Sequence, residues 1–323
     1  VFNLFVIQYV VLDGSLEGKG RCFSLPRVCD YEGSKYRKDF WENQNREYEN
    51  RVERVAMRAL LPPNGEWLLE IGAGFGRLVD LYDGYRRVVL LDYARTQLEE
   101  ARRYLGDSER FVFVVADVYN LPFVPSLFDA LTMVRVMHHL VDVPQALVEL
   151  RRVIAPRGTA VVEHASKFHL KALARWFFGR QSWNPFEPTP HEFVDLNFDF
   201  HPAWMRQQIT SAGFSLKNTR TVSHYRLDWL KRLVPISVLV WLDSLAQPTG
   251  NWWQLTPSLF LRLDSNKSGE SPAESDFFLC PGCRQGRIAL PPTDIDAILS
   301  CGVCQQQWSY RDGIFDFKTP HTF

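Results

Sequence analysis

The stretch Leu68-Leu69-Glu70-Ile71-Gly72-Ala73-Gly74-Phe75-Gly76-Arg77 sets three glycines where a buried apolar run turns into a helical pattern. Glycine accepts a positive φ and has no Cβ, so the backbone can turn sharply and approach a ligand closely. Twenty residues after Gly72, Asp92 ends a second apolar run, Val88-Val89-Leu90-Leu91. From there a carboxylate can accept hydrogen bonds from both hydroxyls of a ribose, so a nucleoside-type ligand is expected. A dinucleotide site requires G-x-G-x-x-G, with a helix N-terminus facing the pyrophosphate. Here the spacing is G-x-G-x-G and Glu70 precedes it, which suits a ligand with a cationic amino group and no phosphate. S-adenosylmethionine has that chemistry.

Outward from the loop, Trp67 to Ile71, Arg87 to Leu91, Phe111 to Ala116, Ala130 to Val134 and Thr159 to Glu163 read as strands separated by segments of helical periodicity. Strands alternating with helices imply parallel β-α-β units and a sheet covered on both faces. Upstream, a helix is expected from Ser34 to Leu61, with Phe40, Tyr48, Val52, Val55, Ala56 and Ala59 on one face and Pro62-Pro63 closing it. Downstream, the pattern gives a helix over Pro202 to Ala212, a strand near Leu216 to Ser223, a helix from Trp229 to Leu245 and a strand over Ser258 to Leu263. The last two strands are expected to form an antiparallel edge. The expected fold class is α/β: a Rossmann-like, seven-stranded, mostly parallel sheet with helices on both faces, plus a small C-terminal zinc ribbon.

The stretch from about Lys35 to Lys167 resembles a class I S-adenosylmethionine-dependent methyltransferase of the small-molecule type. The resemblance is carried by LLEIGAGFGR, VVLLDYA, VVADVYNLPF, FDALTMVRVMHHLVD and ELRRVIAPRGTAVVEH in that order. It implies that Glu70, Gly72, Ala73, Gly74 and Gly76 hold the amino-acid part of the cofactor, and Asp92, followed by Tyr93, the ribose. It further implies that Asp117 meets the adenine amino group, with Val118 beside the ring, and that Val134 lines the sulfonium.

Methyl transfer is an in-line displacement at an already activated carbon, so alignment and exclusion of water are the protein's main tasks. Met133-Val134-Arg135-Val136 is not the Asn/Asp-Pro-Pro-aromatic element of exocyclic-nitrogen enzymes, and the large domain lacks the Pro-Cys nucleophile of a cytosine C5 enzyme. For a hydroxyl acceptor, candidate bases are His138, His139, Glu163 and His164. A long insertion from Phe168 to Phe200 carries Trp176, Phe177, Phe178, Trp183, Phe186, Phe193, Phe198 and Phe200. These rings either line a pocket for a flat or greasy acceptor, joined by Trp252-Trp253, or pack the lid against the sheet.

With 323 residues, 46% apolar and 23% charged, the chain can bury a full-sized core and a smaller second unit. Its 37 basic and 37 acidic residues cancel, so attraction to nucleic acid or an anionic membrane must be local. The apolar runs Val1 to Leu12 and Leu233 to Leu242 fall short of the ~20 residues a spanning helix needs. Of six cysteines, Cys280, Cys283, Cys301 and Cys304 form two C-x-x-C pairs seventeen residues apart, a zinc spacing. Four thiolates closing a tetrahedron leave no open position, so the metal is expected to be structural, Zn2+ in a reducing compartment, with redox C-x-x-C chemistry and rubredoxin-type iron as the rival readings. The tail resembles the small zinc-ribbon proteins of the Trm112-like group, through FFLCPGC, LSCGVCQQQWSYRDGIFDF and the Arg311-Asp312-Gly313-Ile314 turn. That resemblance implies a docking module fused in cis, a surface for a protein partner.

The expected division is an extension over 1–33, a methyltransferase domain over 34–263 with the aromatic insertion at 168–200, a solvated linker over 264–276 (DSNKSGESPAESD) and a ribbon over 277–323. The expected function is methyl transfer from S-adenosylmethionine to a small, aromatic or apolar molecule by a cytoplasmic enzyme with no membrane span. Two competitors are an RNA methyltransferase guided by the ribbon and a cofactor-binding scaffold without turnover. Arg284, Arg287, Arg311 and Lys318 are matched by Asp294, Asp296, Asp312 and Asp316, which leaves no basic stripe for nucleic acid.

Overall fold

A computed structural model of the chain describes residues 26–34, 37–41, 46–272, 277–288 and 296–320. Most of the expected extension, part of the linker and residues 289–295 and 321–323 of the tail lie outside the described residues. The helix expected from Ser34 begins only at Glu47. Residues 37–41 form a separate short turn, and α1 runs Glu47–Leu60 with Glu47 and Glu49 in its first turn, where carboxylates suit the helix dipole. Its buried face is Tyr48, Val52, Ala56, Met57 and Leu60, whereas Ala59 is exposed.

The chain then continues through β1 (Gly65–Ile71), β2 (Tyr85–Asp92), α2 (Arg95–Leu105), β3 (Phe111–Val115), β4 (Phe128–Met133), α3 (Val143–Val153) and β5 (Ile154–Ala165). The helix expected after the glycine loop is reduced to a short 3-10 turn, Val79–Leu81. Next come α4 (Leu170–Phe177), the hairpin β6 (His191–Val194) and β7 (Asn197–Asp199), α5 (Pro202–Ser211) and β8 (Ser215–Val222). The single helix expected over 229–245 is two, α6 (Asp228–Leu233) and α7 (Ile236–Ala246), because Pro235 cannot continue the hydrogen-bond ladder. The chain returns as β9 (Ser258–Asp264), followed by β10 (Phe278–Leu279), β11 (Arg287–Ile288), β12 (Ala297–Ser300), β13 (Gln307–Arg311) and β14 (Ile314–Asp316).

The main sheet has ten strands in the order β12-β13-β14-β3-β2-β1-β4-β5-β9-β8, with β3 through β5 parallel and the β5-β9-β8 end antiparallel, as the sequence implied. Successive residues of β1 face opposite sides: Leu69 and Ile71 join one apolar cluster and Leu68 the other, so each strand seals two cores.

The sequence suggested seven strands and a ribbon set apart by a solvated linker, but the tail is built into the sheet. β14 pairs in parallel with β3, Ile314 opposite Phe113 and Asp316 opposite Val115. Phe277, Phe278, Trp308, Phe315 and Phe317 enter the same apolar cluster as Trp67 and Phe123. Nor is the start of the linker solvated. Ser265 is fully buried and donates to the Ala155 carbonyl at 2.8 Å, and Lys267 Nζ donates to the Arg151, Arg152 and Ile154 carbonyls at 3.1, 3.0 and 2.8 Å. An ammonium on the last carbonyls of α3 is a favourable helix end, which a Ser/Glu/Pro composition does not reveal.

Because one core spans tail and large domain, Phe315→Ala is expected to cost about 3–5 kcal/mol and to lower the midpoint of a single unfolding transition in calorimetry. An unchanged main transition beside a weakened minor one would overturn the shared core.

Candidate functional site

The site forms where β1, β2 and β4 end. Gly72 N and Ala73 N donate to the Leu91 carbonyl at 2.8 and 3.0 Å, pinning the loop to β2. Gly72 has φ +70, and a Cβ there would lie 2.0 Å from Val136 Cγ2, so only glycine lets the β1 and β4 loops come this close. Two adjoining spaces result. One is a cavity of ≈110 Å3 walled by Ile71, Gly72, Gly74, Leu91, Asp92 and Tyr93, by Gln97, Ala116, Val118 and Val134 to Leu140 in part, and closed over by Val28, Cys29 and Tyr31. The other is a recess behind the loop lined by Trp41, Glu70, Ala73, Phe75, Arg77 and Arg135. Gly72, Gly74, Val134 and Arg135 face both.

Of the residues singled out in the sequence, Gly72, Gly74, Asp92, Tyr93, Val118 and Val134 line the cavity, and Glu70 and Ala73 the recess. Gly76 and Asp117 line neither. Gly76 takes φ +78 beside Leu105, a turn and packing position. Asp117 Oδ1 accepts from Tyr119 N at 2.9 Å, capping the 3-10 turn that presents Val118. Asp92 Oδ2 accepts from Gly74 N at 2.8 Å and Oδ1 from Ala94 N at 3.0 Å. Tyr93 N is a third backbone donor to this carboxylate, so about one of its four acceptor sites remains for a ribose hydroxyl.

The recess is electrostatically unusual. Glu70 is buried, its Oε2 has no hydrogen-bond partner, and burial pushes its carboxyl up to about 8 against the opposing pull of Tyr82 and Arg77. Two cations of the recess, Arg77 at 2.9 Å and Arg135, pair with Glu53 of α1. Burial alone would raise Glu53, but the Arg135 and Arg77 guanidiniums outweigh it and hold the carboxyl below its usual range. Both guanidiniums sit over the Trp41 ring, 3.9 and 5.1 Å from its centroid. One buried carboxylate thus faces two cations, leaving a net positive charge beside an orphaned acid, the complement of a zwitterionic amino acid. The orphaned Glu70 oxygen and the loop a Cβ would fill are what a sulfonium nucleoside with an amino-acid arm requires.

The four candidate bases separate. His139 reaches the cavity wall. Its Nδ1 lies 3.0 Å from the Leu196 carbonyl and therefore carries the proton, leaving Nε2 to accept from the Tyr31 hydroxyl at 3.1 Å. Burial lowers its pKa, against the Leu196 hydrogen bond, so it is neutral at pH 7. His138 packs on His139 with ring centroids 4.1 Å apart, and its Nδ1 has no partner. Glu163 uses both oxygens structurally, accepting from Arg135 N at 3.0 Å and Ser258 Oγ at 2.7 Å, and so fixes the left-handed backbone of Arg135. His164 is buried against Phe200 and pushed down to about 4 by burial.

The insertion's rings do not line the cavity. Phe200 is in the core, stacked on Trp204, Trp176 and Phe186 pack on each other, and Phe177 and Phe178 face outward. Residues the sequence did not point to are Val28, Cys29, Tyr31, Gln97, Arg135 and Trp41. The strap 26–34 is held by Glu32, which accepts from Arg95 N and Thr96 N at 2.6 and 3.2 Å on the first turn of α2, and by Asp30, 2.6 Å from Lys318.

In the tail, Cys280, Cys283, Cys301 and Cys304 bring their four sulfurs within 4.8 Å of one another, with Cys280–Cys304 and Cys283–Cys301 at 3.7 Å. Four thiolates at ~2.3 Å from a tetrahedral ion would be ~3.8 Å apart. Gly286 N and Val303 N point at Cys283 and Cys301 at 3.4 Å, and a Cβ on Gly286 would strike Cys301 Sγ at 2.2 Å. The set is suited to a metal ion with no open coordination position.

The chain is similar to known methyltransferases. Residues 69–162 match the family described as a methyltransferase domain. A demethylmenaquinone methyltransferase of Clavibacter sepedonicus is 37% identical over 182 residues, covering 53% of this chain and 72% of the relative. A 2-phytyl-1,4-naphtoquinone methyltransferase of Thermosynechococcus vestitus is 29% identical over 192 residues, covering 54% and 81%. Among solved structures, an S-adenosylmethionine-dependent methyltransferase from Mesorhizobium loti aligns with a TM-score of 0.49 at 18% identity, over 67% of this chain and 99% of that one.

A cationic amino group in the recess selects the ionised form of Glu70, so affinity for S-adenosylmethionine is expected to rise with pH up to ~8, with about one proton released on binding near neutrality. Without ligand the sign is opposite: Glu70 favours the fold below the usual carboxylate pKa, and that contribution is lost as pH rises through about 8. Calorimetry in buffers of different ionisation heat reads the proton. Glu70→Gln should abolish the release and weaken binding above pH ~8 by about 1–3 kcal/mol; unaltered proton release in that variant would remove Glu70 from the site.

Proposed function

The chain belongs to the class I S-adenosylmethionine-dependent methyltransferases, and on that premise we propose that it methylates a small, apolar, hydroxylated aromatic acceptor of the reduced-quinone type. The observation that carries the acceptor class is the Tyr31–His139 pair in a largely apolar wall that includes Val28, Val134, Val136 and Leu140. A proton acceptor in an apolar wall suits a ring with one acidic hydroxyl. Relatives named for demethylmenaquinone and 2-phytyl-1,4-naphtoquinone support the same class.

In this reading Glu70 takes the amino group of S-adenosylmethionine, and the net charge of Arg77, Arg135 and Glu53 takes its carboxylate. Asp92 holds the ribose, and the adenine lies between Tyr93, Val118 and the Gln97 side chain. Bound there, the cofactor supplies an electrophilic methyl on a sulfonium, which is why no protein nucleophile is needed. Val134 and Val136 keep water from the reacting centre. Tyr31 accepts the proton of the acceptor hydroxyl while passing its own to Nε2 of His139, so the ring enters the displacement as a phenolate. His138, Glu163 and His164 are assigned to support: Glu163 fixes the Arg135 turn, and His164 packs under the insertion.

The cysteine cluster is assigned structural zinc, in keeping with a reducing compartment such as the cytoplasm. The tail then works in cis as a ribbon that stabilises the catalytic sheet. Its Arg284 supports this role rather than RNA docking, since the guanidinium is engaged with Asn120 Oδ1 at 3.0 Å, Glu149 Oε1 at 2.8 Å and the Tyr119 carbonyl at 3.3 Å.

The deciding experiment incubates the full chain with methyl-labelled S-adenosylmethionine, reduced naphthoquinones and a fractionated extract. Label in a lipid-soluble aromatic product is expected; label confined to RNA or protein would overturn the acceptor class. His139→Gln should lower kcat by roughly 10²–10⁴ with cofactor affinity unchanged. In the native enzyme the acid limb of kcat should lie below pH ~6.5, since burial lowers this imidazole. Full turnover in His139→Gln would exclude the relay. Cys301→Ser is expected to lose zinc, measured by mass spectrometry of the metal, and to lower the melting temperature of the whole chain; undiminished metal would exclude this ligand set.

A further inference from the structure

Helix α7 reverses the usual order of a surface helix, which turns its polar face outward. Among its 11 residues the one charged side chain is Asp243, and it is fully buried, accepting from Tyr48 Oη at 2.6 Å, His224 N at 2.9 Å and Gln247 Nε2 at 3.1 Å. Val238, Trp241 and Leu245, spaced along one stripe, are exposed instead. Neighbouring elements repeat the pattern. α6 exposes Trp229 and Leu233, the latter 75% accessible, and α4 runs into Phe177 and Phe178, at 78% and 69%. Trp252 and Trp253 stand out after α7.

These elements adjoin. Val234 and Pro235 alone separate α6 from α7. Leu170 N, opening α4, donates to the Leu255 carbonyl at 3.0 Å, which sets α4 beside the chain leaving Trp253. The charge around the rings is mostly basic. Residues 167–180 carry Lys171, Arg175 and Arg180 with no acid, Lys167 being buried on the Thr189 carbonyl; residues 226–233 add Arg232, while Lys231 and Arg226 lie 2.9 and 3.7 Å from Glu49 and Asp228 is the acid. In a chain of zero net charge this excess is local.

We propose that α4, α6, α7 and Trp252-Trp253 form a surface that seats on a bilayer containing anionic lipid, with rings at headgroup depth and cations against the phosphates. Tryptophan and basic side chains on an apolar face are the chemistry of interfacial binding. A second copy of the chain fits less well, because a two-fold contact would bring the same cations together. No helix among the described residues is long and apolar enough to cross a membrane, so the contact is superficial. β5 delivers the chain to α4 from the strand edge where Ile71, Leu91 and Val134 wall the cavity, so bilayer and site share one side of the molecule.

Flotation of the full chain with phosphatidylcholine vesicles, with and without phosphatidylglycerol, tests this without turnover, so its failure is separable from that of the acceptor assignment. Partition is expected on the anionic vesicles, with a blue shift of tryptophan emission. It should fall roughly tenfold or more in Trp229→Ser/Leu233→Ser and in Phe177→Ser/Phe178→Ser, and also in Arg175→Gln/Arg232→Gln, with melting temperatures unchanged. Absence of partition, partition untouched by all three pairs, or equal partition onto neutral vesicles would overturn the proposal. So would a dimer in ultracentrifugation abolished by the same serine pairs in a chain that ignores vesicles.

Discussion

The contact on which the site depends is that between the Gly72 backbone and the Val136 side chain. It joins the ends of two adjacent parallel strands so closely that no Cβ fits between them. From it follow the turn that lets Gly74 N reach Asp92, the left-handed Arg135 braced by Glu163, and the split into a cavity and a recess. Parallel strands end together, so loops from β1, β2 and β4 meet along one edge, where such folds hold ligands.

Buried carboxylates organise the surroundings in three different ways. Glu53 is ionised by two guanidiniums, Glu70 is left without a cation and rises, and Glu149 is satisfied by Leu121 N, Arg152 and Arg284. The first and third are structural ties, one to α1 and one to the tail. The second is the exception that marks a ligand site, because an unpaired buried acid is costly unless something else is meant to meet it.

The strand pattern from Trp67 to Glu163 was legible because the hydrophobic periodicity is strong and each strand tip carries its own marker, Glu70, Asp92 or Asp117. What was not legible depended on contacts distant in the chain. Tyr31 and Cys29 sit in a segment whose composition is unremarkable, and distant ties such as Glu32 on the first turn of α2 and Asp30 on Lys318 place them over the cavity. Asp117, expected at the adenine, has its Oδ1 on a turn as a cap, a second use open to any short carboxylate at a strand end. The spacing of the tail's cysteines foretold that they cluster, but nothing in β14 itself, Ile314-Phe315-Asp316, says that its partner is β3. Lys267 looked like linker because a cap on α3 is a matter of position and not of composition.

The pairing of β14 with β3 also bears on how the chain reaches its native state. The edge of β3 finds its neighbour about 200 residues further along, among the longest loop closures in the sheet. Until then Phe113 and Val115 present unpaired amides and carbonyls on an apolar strand, the form in which edges recruit the wrong partner. Metal capture by the cysteines that precede β14 would shorten that exposure, since it organises the segment beforehand. An ion held there would act on the rate and fidelity of assembly as well as on the finished fold, and cells starved of it would accumulate the chain as aggregate rather than as idle enzyme.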